Sequence, residues 1–566
     1  MIPRATISSI SIIIVIGLIP CFALDSRDVI PEAKKEINST TTNSSFIFYS
    51  SYPNPTDPIH KRCTFYYYNG TGGDMNDCIV DFVSNTTSPR PPSSYENVSI
   101  IKDPVEPTIN FIEYNDSRID KMLVKGSIPS ERYDNVGEPS FSSDNFSIFY
   151  TGNHYAAKKT GDNEWQYVDP YYDFKGREGT GTHEGTINEP FDLFWADQRT
   201  TYDKQNKLFI WMRQGEIKLF SDKVANIDRL SISKDLENWH VYDLMPSLLF
   251  ARNVSQGFFD YPELIVGDKY LYITTSMGSG VSNSTGNTTM YDEYGAVIRI
   301  SLDELNSLNN TLNFEAIIDN QVKGIIPVEN SNDPMYFGSH LKNDPFKMKI
   351  FKWYNNGTIT NPIILPISPW NTIHNLKICS SSPSDKWWCN ANTSSKLRSA
   401  WLYNDTISFL WNAVTTYNNG STYVPYIESA TFNTDGSNYE RKYQFADRST
   451  PWIFGAAIPS NEENVLGGIA YFVDNTTTNY NAEPFLNFAF GTFNESSKKW
   501  EMMPILESNF SLPVENEKGE PDYNFGDFIT IRKHSGDTNN FKWDTGGYII
   551  TGEKYNDIES YFIKSK

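Results

Sequence analysis

Cysteine is scarce, with five in 566 residues. One of them, Cys21, lies in an N-terminal stretch that reads as removable. The others form two local pairs, Cys63 with Cys78 and Cys379 with Cys389. Neither pair has the tight spacing of a zinc site. In an oxidising compartment, Cys63–Cys78 and Cys379–Cys389 are the economical disulfides, with other pairings open. Positive charge is also short: 48 Lys and Arg stand against 69 Asp and Glu, for a net charge of −21. Such a surface repels phosphate backbones, which argues against nucleic acid as a partner. After residue 24 no apolar run is long enough to span a bilayer, and the C-terminus (SYFIKSK) carries no anchor tail. G-x-S-x-G, H-E-x-x-H, the phosphate-binding loop and the EF-hand loop are all missing. Helical periodicity is nearly absent, and only SLDELNSLNNTL (301–312) reads as a short helix. Disorder is excluded in turn, because aromatics make up 14% of the chain.

Residues 1–23 have the form of a secretory signal. Arg4 supplies the positive start, Ile7 to Ile19 the apolar run, and Pro20 breaks it before a small residue, Ala23. Eighteen N-x-Ser/Thr sequons agree with export, among them Asn69, Asn97, Asn145, Asn253, Asn356, Asn404, Asn475 and Asn509. Residues 24–130 read as an irregular, glycosylated N-terminal extension. The polar INSTTTNSS and the proline-rich SPRPPSS resist regular structure, and CTFYYYNGTGGDMNDC suggests a hairpin closed by a disulfide.

From residue 131 to 566 a repeat appears. Glu138 opens EPSFSSDNFSIFYTGN, Asp197 opens DQRTTYDKQNKLFIWMRQG, and Asp260 opens DYPELIVGDKYLYITTSMG. Each unit has an acid, a short strand, a polar turn and a β-rich strand. The turns SSDN, DKQN and GDK have hairpin chemistry. Weaker copies open at Asp333, Arg398, Trp452 and Asp527. Further strands such as DRLSISKD and EYGAVIRISL fill the intervals. Four strands per unit imply one all-β domain, a β-propeller of four-stranded antiparallel blades. Seven openings imply seven blades, or six if one unit is decoration.

In a propeller the openings converge on the central channel. Asp197 and Asp260 are therefore the candidate catalytic pair, with Glu138, Asp333, Asp527 and Arg398 as further channel-mouth candidates. Convergent carboxylates split one another's pKa values and can flank a glycosidic bond. They could also ligate a structural Ca²⁺, although no metal site or cofactor is otherwise implied. The bland alternative is that each acid caps backbone N–H groups of the next blade. Ser233-Lys-Asp235-Leu-Glu-Asn-Trp239 reads as a turn that serves the fold. His183, in GTGTHEGT, sits in a loop that could reach the mouth.

The stretches TGNHYAAKK, ADQRTTYDKQNKLFIWM, DRLSISKDLENWHVYDL, FDYPELIVGDKYLYITTSM, RSAWLYNDTISFLWNAV and FGDFITIRK resemble, in this order, an uncharacterised family of secreted microbial β-propellers. The resemblance covers roughly residues 136–555. It implies the fold and no activity. Some members carry a Cys pair where Trp195 and Ala196 stand here. More broadly the chain resembles the sialidase-like propeller superfamily, and Phe259-Asp260-Tyr-Pro262-Glu263-Leu264 is similar to an acid-bearing segment of furanosidase-type propellers. A sialidase would need an arginine triad and an early F/Y-R-I-P segment. That segment is missing, and of Arg199, Arg299, Arg398 and Arg532 only Arg398 sits at an opening. The expectation is a secreted or cell-surface propeller that binds glycan or an extracellular protein at its channel mouth. The alternatives are a glycoside hydrolase working through paired carboxylates and a structural envelope protein.

Overall fold

The computed structural model describes residues 59–66, 78–82, 106–112, 118–121 and 137–566. Within the last span it leaves out 172–192, 219–223, 250–256, 283–287, 369–395, 418–421, 461–464, 475–484, 510–513, 516–520, 523–528, 536–540, 553–557 and a few single positions. The signal segment, Cys379, Cys389, His183, Asp527, Asn69, Asn97, Asn145, Asn253 and Asn475 therefore lie outside the described residues. Asn356, Asn404 and Asn509 are described and exposed.

Short alternating segments joined by tight turns form antiparallel sheets with two buried faces. Seven such blades follow in chain order. Blade 1 begins with Ser140–Ser143, blade 2 with Leu193–Asp203, blade 3 with Gly257–Val266 and blade 4 with Ile326–Pro327. Blade 5 begins with Leu397–Tyr403, blade 6 with Trp452–Pro459 and blade 7 with Thr530–Lys533. Each first strand is innermost and, from blade 1 through to blade 7, touches the innermost strand of the next blade, while Ser140–Ser143 of blade 1 touches Trp543–Ile550 of blade 7. In blade 5 the fourth position is held by the bridges Ile427–Phe445 and Thr431–Glu440.

The ring closes in blade 7, whose outermost strand is Arg118–Lys121, paired antiparallel with Ile558–Ser565. Two distant parts of the chain thus share one sheet, and no blade is left with an open seam. Two more segments of the stretch read as irregular are edge strands. Ile109–Phe111 runs parallel to the last strand of blade 6, and Ile59–Tyr66 lines the outer edge of blade 3, with Cys78–Phe82 beyond it. That register sets Cys63 directly across from Cys78.

The core is not one mass but seven layers, one between each pair of blades. Phe149 and Trp211 pack blade 1 on blade 2, and Met277 and Leu230 pack blade 2 on blade 3. Trp353 and Tyr272 fill the next layer, Phe409 and Met348 the one after, and Trp401 and Trp452 the fifth. Trp543 and Phe488 lie between blades 6 and 7, and Phe141 and Phe562 between blades 7 and 1. The high aromatic content is spent here, since wide flat sheets need large side chains to fill the gaps between them. Gly338 marks a close approach: a Cβ there would sit 2.2 Å from the Phe409 ring.

The expected helix is present as Leu302–Ser307, and a single turn, Pro246–Leu249, accompanies it. No helix among the described residues is long and apolar enough to cross a membrane. The Ser233 turn is a fold element. Ser233 Oγ accepts from the N–H groups of Asp235 and Leu236, and Asp235 Oδ1 accepts from those of Asn238 and Glu237. These bonds, that from Asn238 foremost, hold the Asp235 carboxyl down at about 2. Trp239 then packs on Phe149 and Trp211 between blades 1 and 2.

Candidate functional site

All seven inner strands run the same way along the channel, so one mouth gathers their starts and the other their ends. At the starting mouth four inner strands are bulged at one level. In blade 2 the pairing jumps across Trp195, Ala196 and Asp197, and in blade 3 across Tyr261 and Pro262. In blades 5 and 6 the extra residues are Arg398 and Phe454. A bulge re-aims the side chain it carries. Tyr261 and Phe454 hold φ of 60° and 50°, and Glu138, at the start of blade 1, holds 36°. Non-glycine residues rarely adopt this region, and such strain gathers at functional sites.

The bulged residues meet across the channel. The Arg398 guanidinium carbon lies 4.9 Å from the Phe454 ring centre and 5.6 Å from that of Tyr261, and Arg398 donates to the Tyr261 hydroxyl. Lys396 lies 3.8 Å from the same tyrosine ring centre on its way to Asp260, 3.7 Å from the carboxylate. The Asp260 side chain keeps 46% of its surface exposed. Among the described residues, no backbone N–H group of a neighbouring blade donates to it.

Asp197 and Asp260 act by their charge on a third acid, which was not legible in advance. Asp228, on the third strand of blade 2 (Val224–Ser233), is buried, and its Oδ1 has no hydrogen-bond partner. Burial raises its pKa well above the usual range, and the charges of Asp197 and Asp260 raise it further. Next to it, Asn226 accepts from the Phe259 N–H at 2.7 Å and Gln214 donates to the Phe259 carbonyl. These two bonds tie the start of blade 3 to blade 2 and fix Asp260 relative to Asp197. The signal for Asp228 was an acid in phase with Leu230 and Ile232 on one face of a strand. No three His, Cys, Asp or Glu side chains among the described residues converge closely enough to hold a metal ion.

The remaining candidates divide. Glu138 is buried at the opening of blade 1, and Arg398 joins the ring of bulges. Asp333 does not open an inner strand, which corrects its placement. Ile326–Pro327 is the innermost strand of blade 4, and Asp333 lies in the exposed turn after it, accepting from the Asn355 N–H at 3.0 Å. An inner strand of two residues is too short to show in the pattern.

Further along the inner strands, paired charges link neighbouring blades. Arg199 of blade 2 is bonded to Glu263 of blade 3, its Nε lying 3.0 Å from the carboxylate, and reaches Thr530 of blade 7 at 3.3 Å. Thr530 in turn donates to the Pro139 carbonyl at 2.7 Å.

No protein-family model matches the chain, and no curated protein matches it. Solved propellers overlap with it slightly. The Penicillium chrysogenum α-L-arabinanase complexed with arabinobiose has a TM-score of 0.33 at 10% identity, covering 79% of this chain and 98% of that one. A mutant Trypanosoma rangeli sialidase displaying trans-sialidase activity gives 0.30 at 9%, covering 64% and 53%. The α-L-arabinofuranosidase from Lactobacillus brevis gives 0.27 at 12%, covering 58% and 93%. Overlaps this slight bear on neither ligand nor reaction.

Proposed function

We propose that the starting mouth is a sugar site on a secreted or cell-surface glycoprotein. The observation that supports the reading is the ring of bulged inner-strand starts, where half-exposed Asp260 sits beside Lys396 and, with Asp197, acts on buried Asp228. Carboxylates accept hydrogen bonds from adjacent sugar hydroxyls, and such a neutral ligand brings no charge to compete with Lys396 and Arg398. The bulges hold these side chains in place before any ligand arrives, which lowers the ordering cost of binding.

A second reading, glycoside hydrolysis, is favoured by the same trio. Asp228 is held toward its protonated form while Asp260 stays half exposed beside a lysine. Neighbouring carboxyl groups in unlike environments can divide acid and base roles. Asp260 would then act as acid–base and Asp197 as its partner.

Sugar release from a panel of polysaccharides and glycoproteins, with Asp260→Asn as control, separates the two. Release by the wild type and not by the variant establishes hydrolysis. Binding on a glycan array without release establishes recognition. Neither binding nor release sinks both. Export, the Cys63–Cys78 and Cys379–Cys389 disulfides and sequon occupancy belong to the same proposal. Peptide mass mapping of the secreted chain tests them, and an N-terminus before residue 24 or free thiols at Cys63 and Cys78 would contradict it.

A further inference from the structure

The other mouth has the opposite character. It holds a cavity of about 320 Å³ whose lining comes from the ends of inner strands and the turns that follow them. Lys204, Arg532, Lys533 and His534 all line it, on a chain with a net charge of −21. One carboxyl, Glu329, shares the cavity, and its burial raises its pKa. Arg199 and Glu263 stand behind it and are bonded to each other.

Arg532 contrasts with Arg199, Arg229, Arg299 and Arg441, each of which is held by a carboxylate. Arg532 instead donates to the Thr201 hydroxyl at 2.9 Å and the Thr200 carbonyl at 2.8 Å, and its buried Nε has no partner. It is thus fixed in place by neutral oxygens, with Glu329 the main opposite charge acting on it. Lys533 is held at 2.5 Å by Asn330, a neutral amide. His534 is oriented by buried Asp544, 2.7 Å from Nδ1, and the Ser143 hydroxyl donates to the same carboxylate at 3.0 Å. Glu329 is the lining carboxylate set against Arg532 and Lys533, so with Lys204 the lining keeps an excess of positive charge on preset donors.

The geometry points to an oxyanion site in this cavity, taking a carboxylate or sulfate group on a ligand of monosaccharide size. Arg532 and Lys533 would hold the anion deep in the cavity, with Lys204 at the rim and the Ser143 and Ser535 hydroxyls beside it. This site is separate from the sugar site at the starting mouth and stands whether or not that one is correct.

Calorimetric titration of the full chain with sodium sulfate, sodium D-glucuronate and neutral D-glucose tests it. The expected result is binding of one or both anions and no binding of glucose. Lys204→Ala with Lys533→Ala should weaken anion binding about tenfold or more. Asp260→Asn should leave it unchanged. Sulfate alone or glucuronate alone would identify which oxyanion the cavity prefers. Thermal unfolding without ligand confirms that each variant is folded, and Lys204→Glu, a change at the exposed rim, gives the same loss if the lysine pair is not tolerated. Absence of binding for both anions, or undiminished binding in the lysine variants, would overturn the proposal.

Discussion

The two mouths are built from the same seven strands, yet they differ in kind. Where the strands start, four bulges push Asp197, Tyr261, Arg398 and Phe454 out of register, and acids collect. Where they end, pairing is regular up to the turns, and Lys204, Arg532, Lys533 and His534 collect around a cavity. Along the inner strands the Arg199–Glu263 pair lies between the two. One scaffold therefore holds two chemistries, and irregular backbone goes with the acidic one. Side chains in ladder register point where the pleat sends them, so a site that must converge needs bulges.

The largest effect that sharpens this contrast is at the acids. Asp260→Asn or Asp197→Asn should lower sugar binding or turnover about a hundredfold, with oxyanion binding intact. Titration of both ligand classes on each variant checks it. A parallel loss at both mouths would mean that the two ends are not independent.

Next comes the pair between them. Arg199→Met leaves Glu263 buried without its cation and should cost about 3–5 kcal/mol in urea unfolding. Arg199→Met with Glu263→Leu should recover most of that loss. Equal instability of the single and double variants would show that the pair contributes through more than its charge.

A smaller effect concerns Asp228. Its folded-state pKa is raised, so the folded chain binds the proton more tightly than the unfolded chain does. That favourable term is complete below the unfolded value near 3.9 and fades as pH rises through the folded value. Asp228→Asn removes the ionisation. The variant should therefore be more stable than wild type at pH 7, by about 1–3 kcal/mol, with the gap closing toward pH 4. A gap that is the same at both pH values would contradict burial of a titrating carboxyl.

The smallest effect is ionic. Raising salt should weaken oxyanion binding at the basic mouth and leave sugar binding at the acidic mouth nearly unchanged.

The blades were legible because acid, turn and strand recur at fixed spacing, as at Glu138, Asp197 and Asp260. Hairpin chemistry is local, so local sequence carries it. Three things were not local. Arg118–Lys121 joins blade 7 across more than four hundred residues of chain, and nothing in RIDK signals that partner. Ile326–Pro327 is too short for any periodicity, which is why Asp333 stood in for it. The positive φ of Tyr261 and Phe454 is imposed by packing, since neither side chain favours it. Part of the candidate site was therefore visible as opening acids, while Asp228, Lys396 and the aromatic bulges emerged only when blades 2, 3, 5 and 6 were set side by side.

The central claim is that sugar binds where the inner strands start. Glycan-array binding by wild type, Asp260→Asn and the Lys204→Ala, Lys533→Ala double variant tests it most directly. The account predicts strong signals on the same glycans for wild type and the lysine variant, and their loss in Asp260→Asn. Full retention in Asp260→Asn, or loss only in the lysine variant, would contradict it.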